Sequence, residues 1–223
     1  MTMCIYYIPR KLSDLNGDDV LKEVSLSELK KNTEIMVIDD DEFVYLDSLK
    51  KSEYRIEHRT DIQGLKDVAE YDIILCDIRG VGKFLQSPYE GAYLVKQIKE
   101  KYPNKIVISY TANNYDPKFQ EYLAYADATV PKGTALEDWD AMLTKMLKEL
   151  ADPIKQWEKA RNALLSAGVP TVTVAKYESE YVKAVKNGNY KSLKDVYVNS
   201  KKQGKEIMIS LLSIIFKALG IGK

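Results

Sequence analysis

The stretch TEIMVIDDDEF, Thr33 to Phe43, passes from an apolar run straight into three consecutive aspartates. Ile35 to Ile38 are short, continuous and apolar, the pattern of a strand buried on both faces. Three adjacent carboxylates repel one another. One reading is a solvated turn before a helix; the other is a cation site at the end of a strand. The rest of the chain decides between them.

Outward from this stretch, strand and helix signals alternate. EFVYLDSLKK has helical spacing of Phe43, Leu46 and Leu49. YRIEHR predicts a weaker strand, and DIQGLKDVAE a helix with Asp61 as its N-cap. YDIILCD predicts a buried strand, followed by GAYLVKQIKEKYP, an amphipathic helix stopping near Pro103. KIVISY is a fourth strand, and DPKFQEYLAYA a helix with Pro117 in its first turn. DATVPKG ends a fifth strand, and TALEDWDAMLTKMLKEL is a helix with Thr134 as N-cap. Five such alternations between Glu34 and Leu150 imply an α/β fold, a five-stranded parallel sheet covered by helices on both faces. In such sheets ligands bind beyond the C-terminal ends of the strands.

Three segments are expected. Residues 1–33 form an extension, with strand signal in MCIYYI and a short helix in LSELKKN. Residues 34–150 form the α/β domain, and residues 151–223 a helical C-terminal domain. In the last, DPIKQWEKARNALLSAG stops at Gly168 and Pro170 breaks the chain. TVTV alternates like a strand, yet Tyr177, Tyr181, Ala184 and Val185 share a helix face that Gly188 ends. NYKSLKDVYVNSKKQ and KEIMISLLSIIFKALG complete the chain.

Composition narrows the function. Lys plus Arg and Asp plus Glu both number 33, which gives no general electrostatic argument for nucleic acid. The two cysteines, Cys4 and Cys76, make neither a metal-spaced cluster nor a disulfide framework. The N-terminus lacks the pattern of a secretory signal, and no apolar run is long enough to span a bilayer. A reducing, cytoplasmic setting is expected.

The strand ends present Asp39 and Asp40, Asp77, Thr111 and Lys132. Crowded carboxylates are tolerable around a divalent cation, and hard oxygen ligands suit magnesium. A carboxylate there can take a phosphoryl group, and an ammonium offsets charge on the transferring oxygens. A nearby hydroxyl can move to the new phosphoryl oxygen and act as a switch.

VIDDDE, IILCDIRG, ISYTAN and DATVPKG, in this order and near the expected spacing, resemble a response-regulator receiver domain, CheY-like, of two-component signalling. The resemblance covers about Glu34 to Leu150 and implies a flavodoxin-like (βα)5 fold. It implies that Asp77 is the phospho-acceptor, that Asp40 binds Mg2+ directly and Asp39 partly through water, and that the Arg79 backbone carbonyl is a further ligand. Thr111 is then the switch hydroxyl and Lys132 the phosphoryl contact, with a histidine kinase or phosphotransfer protein as donor. The sequence departs from the family in three places. The loop RGVGKFLQSPYEG, residues 79–91, is several residues longer than usual. The fifth strand ends Pro131–Lys132–Gly133 instead of Lys–Pro. Thr129 stands where the family has its switch aromatic.

Two other functions are open: a receiver-like binding module that is not phosphorylated, and a haloacid-dehalogenase-like phosphatase using Asp39 and Asp41. Alone, Asp41 reads as a helix-start residue, His58 as structural with nothing paired to it, and Cys76 as packing. GVGK, Gly80 to Lys83, is not a phosphate loop, because Phe84 occupies the Ser/Thr position.

No helix-turn-helix or basic recognition helix occurs after residue 150, where Arg161 is the sole arginine, so sequence-specific DNA binding is not expected. Output then runs through protein contact or self-association, such as a homodimer of the C-terminal helices. In the last helix Glu206, Ser210, Ser213 and Lys217 form a narrow polar stripe. Ile207, Met208, Ile209, Leu211, Leu212, Ile214, Ile215, Phe216 and Leu219 cover nearly everything else. Packing within the bundle or a dimer is the leading reading. A partner groove comes second. Peripheral membrane attachment, helped by Lys201, Lys202 and Lys205, comes third.

Overall fold

The structure is a computed structural model that describes residues 9–15, 24–111, 117–190, 192–193 and 204–218. The strand signal in MCIYYI, Cys4, Lys201, Lys202 and Leu219, the end of ISYTAN and most of NYKSLKDVYVNSKKQ lie outside these residues.

Five parallel strands form one sheet: β1 (Glu34–Ile38), β2 (Arg55–Arg59), β3 (Ile73–Asp77), β4 (Ile106–Thr111) and β5 (Ala128–Pro131), in the order β2-β1-β3-β4-β5. This is the doubly wound order of the flavodoxin-like fold, whose switch point lies between β1 and β3. The helices are α1 (Leu26–Asn32), α2 (Leu46–Lys51), α3 (Glu90–Lys101), α4 (Pro117–Leu123), α5 (Leu136–Ala151), α6 (Pro153–Ser166), α7 (Thr171–Lys186) and α8 (Lys205–Ala218).

Strand parity divides the core. Ile35, Val37, Ile73, Leu75, Ile106, Ile108 and Tyr110 face Trp139, Leu143 and Leu147 of α5. Met36, Ile38, Ile74, Cys76 and Val107 face Leu94, Val95 and Ile98 of α3. Successive side chains point to opposite faces, so Asp39, Asp77 and Tyr110 share the α5 side. The register pairs Ile38 with Cys76 and Asp77 with Tyr110. Those three residues therefore stand in one row across the C-terminal edge.

Three helix expectations need correction. DIQGLKDVAE forms successive i→i+3 turns rather than a helix, with Asp67 N–H bonded to Gly64 O and Ala69 N–H to Lys66 O. Asp67 Oδ2 accepts from Gln63 and Gly64 N–H, and the Asp61 carboxylate turns elsewhere. Thr134 does not cap α5; Ala135 holds that position, while the Thr134 hydroxyl donates to Pro131 O. Asp41 does not start a helix, since α2 begins at Leu46.

Beyond α5, a second core gathers Trp157 and Leu164 of α6 with Tyr181 and Val182 of α7 and Met208, Leu211 and Ile215 of α8. TVTV is the first turn of α7. Gly168 and Gly188, both with positive φ, close Schellman motifs: Val169 N–H bonds to Leu164 O and Asn189 N–H to Ala184 O. Most of the apolar surface of α8 is buried, as packing within the bundle requires. Its Ile214 joins the sheet core on the α5 side, so the helix touches both cores.

Candidate functional site

Asp39 directly succeeds the last residue of β1 and is fully buried; Asp77 ends β3 and is 3 % exposed. Lys132, just past β5, reaches back over the sheet edge. Its ammonium donates to Asp39 Oδ1 at 3.1 Å, Asp77 Oδ2 at 2.8 Å and Asp41 Oδ2 at 3.4 Å. Two buried carboxylates from different strands thus share one cation. Burial raises the Asp77 pKa; the Lys132 hydrogen bond opposes this, and the Asp39 charge adds to it. Burial works against the Lys132 charge, but its bonds to Asp77 and Asp39 outweigh that and raise its pKa.

Asp39 has further partners that motif spacing does not reveal. The Tyr110 hydroxyl donates to Asp39 Oδ2 at 2.8 Å, and Asp41 N–H to Asp39 Oδ1 at 3.0 Å. Tyr110 also packs edge-on against Phe43 and Trp139. Its strand parity, two beyond Ile108, was the signal that could have found it. Burial, reinforced by Asp39, holds the Tyr110 hydroxyl protonated. His58, on the edge strand β2, does have a partner: its Nε2 lies 2.8 Å from Asp39 O. A carbonyl only accepts, so that nitrogen carries the proton.

The long 79–91 loop is folded against the domain. Gly82 and Lys83 N–H donate to the Asp61 carboxylate at 2.7 and 3.2 Å, and Gly80 N–H donates to Glu90 Oε2 at 2.9 Å. Val81 is fully buried in the α3-side core. Two glycines permit the close approach. A Cβ on Gly80, whose φ is +74°, would fall 2.0 Å from Asp40 Oδ2; one on Gly91 would fall 2.0 Å from Asp77 O. Arg79 stacks its guanidinium on Phe119, 4.4 Å from the ring centroid.

Thr111 ends β4 opposite Pro131, and its carbonyl accepts from Lys132 N–H at 2.8 Å. Ser109 and Thr129 share a hydroxyl hydrogen bond of 2.7 Å beneath the edge. Cys76 is fully buried, and burial pushes its thiol pKa up, which disfavours the thiolate.

Asp39, Asp40 and Asp41 each offer a carboxylate oxygen within 4.8 Å of one another. Hard oxygen donors of this kind fit a small divalent cation, and the missing Cβ of Gly80 leaves the space that the Asp40 carboxylate occupies. Asp77 stands beside this group, joined to it through Lys132.

No protein-family model and no curated protein matches this chain. Solved structures do. A CheY-like response regulator receiver domain protein from Methanospirillum hungatei JF-1 is 21% identical, with a TM-score of 0.40, over 52% of this chain and 94% of that one. A two-component response regulator from Clostridium difficile is 21% identical, with a TM-score of 0.43, over 53% and 98%. The chemotaxis protein CheY4 of Vibrio cholerae is 19% identical, with a TM-score of 0.42, over 51% and 97%. The strand order gives about half of the chain a flavodoxin-like fold, and the described residues beyond Leu150 are helical.

Proposed function

We propose that this chain is a phospho-acceptor response regulator. One observation carries the reading: the Lys132 ammonium bridges Asp39 and Asp77 at the C-terminal edge of a parallel sheet, beside a cluster of three carboxylates. Asp39 and Asp40 would hold Mg2+, with Asp77 and the Arg79 carbonyl completing its protein ligands. The ion would supply positive charge next to the phosphoryl oxygens.

A carboxylate oxygen of Asp77 forms a bond to phosphorus while the bond from phosphorus to the donor's leaving group breaks. The leaving group keeps that electron pair, and an aspartyl phosphate results. Lys132 offsets charge on the transferred oxygens, and Thr111 is one strand away to donate to one of them. Asp39 suits the supporting role, since its oxygens already accept from Tyr110, Asp41 N–H and Lys132. The same saturation disfavours it as the nucleophile of a phosphatase using Asp39 and Asp41.

The donor would be a histidine kinase or phosphotransfer protein in the cytoplasm. Residues 34–150 would receive the signal, and residues 151–223 would pass it on by protein contact or self-association. Incubating the full chain with acetyl phosphate and magnesium tests this. Its intact mass should gain one phosphoryl group, and Asp77→Asn should gain none. No gain in the parent chain, or an equal gain in the variant, overturns the proposal.

The Ser109–Thr129 hydroxyl pair favours a second reading, a receiver-like binding module without a phospho-switch. No aromatic ring at position 129 can track a moving Thr111. Under that reading, beryllofluoride with magnesium leaves amide hydrogen exchange in α6, α7 and α8 unchanged.

A further inference from the structure

The polar stripe on the otherwise apolar α8 has a place in the fold that the proposed phosphorylation chemistry does not use. Glu206, Ser210 and Ser213 line a cavity of about 430 Å³ between α8 and the N-terminal edge of the sheet. Lys217, the fourth member of the stripe, crosses to the sheet edge. It donates to Glu70 O at 2.7 Å and Asp72 Oδ1 at 3.2 Å, which holds the two walls together.

The opposite wall is cationic. Lys66, Lys101 and Lys105 line it together with Tyr102. Lys105 is buried and donates to the carbonyls of Ala69 and Tyr71, so two of its three N–H bonds are used. The ammonium groups of Lys101 and Lys105 lie 5.4 and 5.0 Å from the Tyr102 ring centroid. Lys66 and Lys101 are exposed at the mouth. Asp72 also lines the cavity, but Lys217 and Glu34 N–H already occupy its oxygens. Glu70 and Glu206 are exposed and, with Asp72, equal the three lysines of the lining in number; because Lys217 pairs with Asp72, the cavity with that ion pair carries one positive charge in excess.

Apolar surface completes the chamber. Ile209 is 45 % exposed, the exposed large apolar side chain among the described residues of α8, and Ile214 lies at the base. A cavity of this volume, with apolar walls and a few convergent polar groups, is of a size that takes a small molecule.

We propose that this cavity binds a small amphipathic anion, with its acidic group held by Lys66, Lys101 and Lys105 and its apolar body against Tyr102 and Ile209. The Ser210 and Ser213 hydroxyls face it from α8. Such a ligand would bridge the sheet edge and α8, reinforcing the Lys217 contact. The site does not depend on phosphorylation of Asp77.

Anilinonaphthalene sulfonate, an aromatic body bearing one sulfonate, is a suitable probe. It is titrated against the 223-residue chain by fluorescence and calorimetry. Two variants change exposed positions: Lys66→Gln with Lys101→Gln, which removes charge, and Ser213→Trp, which fills the chamber. Circular dichroism and thermal unfolding confirm that each is folded. Saturable single-site binding is expected, weakened by roughly tenfold or more in each variant, equivalent to about 1.4 kcal/mol. Absence of saturable binding to the parent protein overturns the proposal. So does affinity within about twofold of the parent in either folded variant, because the probe then sits elsewhere.

Discussion

The central strand β3 has a buried aspartate at each end of its run, and the molecule treats the two differently. At the C-terminal end, Asp77 meets Lys132 beside three further carboxylates, of which Asp40 and Asp41 are exposed. At the other end, Asp72 precedes the strand. It meets Lys217 from α8, with Lys105 nearby, and a helix closes over it. The chemistry is similar, a desolvated carboxylate beside an ammonium. Burying such a pair is a weak source of stability, whereas breaking one is costly. What differs is the partner's origin. Lys132 belongs to the sheet's own rim, while Lys217 is supplied by the last helix. At one end the ion pair is internal to the rim of the sheet, and at the other it fastens the helical region to the sheet.

The largest expected effect tests the open end. Gly91→Ala puts a methyl group 2.0 Å from Asp77 O and 2.8 Å from Val81 Cγ2, so backbone must move. We expect a stability loss of about 3 kcal/mol in chemical denaturation. Normal stability would mean that the loop does not press on Asp77 as described.

The closed end carries a pH signature. Burial lowers the Lys105 pKa to about 8 from an ordinary 10.5, despite the opposing pull of Asp72. Below pH 8 both folded and unfolded chains hold the proton, and the folded state carries the cost of burying it. Between pH 8 and 10.5 the unfolded chain binds more protons, so stability rises with pH. The contribution is at most about 3 kcal/mol. Thermal unfolding of the parent and Lys105→Met from pH 7 to about 10 should show this rise in the parent alone, by difference. Parallel curves would refute it.

Lys217→Met removes the ammonium from a carboxylate that is 2 % exposed while Lys217 itself is about one-third exposed. A loss of about 2 kcal/mol is expected. It should come with faster amide exchange in α8 and an unchanged Lys132 site. If exchange at the Asp39–Asp77 rim rises equally, the two ends are coupled and the contrast between them fails.

The smallest effect is at Tyr110. Tyr110→Phe deletes one of three donors to the Asp39 carboxylate and leaves the Phe43–Trp139 packing intact. About 1 kcal/mol of stability should be lost. A neutral result would place the Tyr110 hydroxyl among the dispensable contacts of the rim.

The parallel sheet was legible because each strand is a short apolar run whose reading needs no distant partner. The placement of Asp39, Asp40, Asp77, Thr111 and Lys132 along one edge was legible because strand ends in a parallel sheet lie together. DIQGLKDVAE misleads because Asp61 also fits an N-cap. Its carboxylate instead braces Gly82 and Lys83, a use that depends on where the 79–91 loop folds. His58 looks unpaired in the sequence because its partner is a backbone carbonyl, which no side-chain pattern reveals.

By itself, the sequence determined the alternation of strands and helices, the acidic rim at the strand ends and the helical character of the described residues beyond Leu150. These are local properties of apolar period, capping and charge. The tertiary structure alone decided that Tyr110 braces Asp39, that the long loop is pinned by Asp61, and that the polar stripe of α8 faces a lysine-lined cavity. Each of those joins residues far apart in the chain, and such pairs meet only when packing of the two cores fixes the register of one element on another.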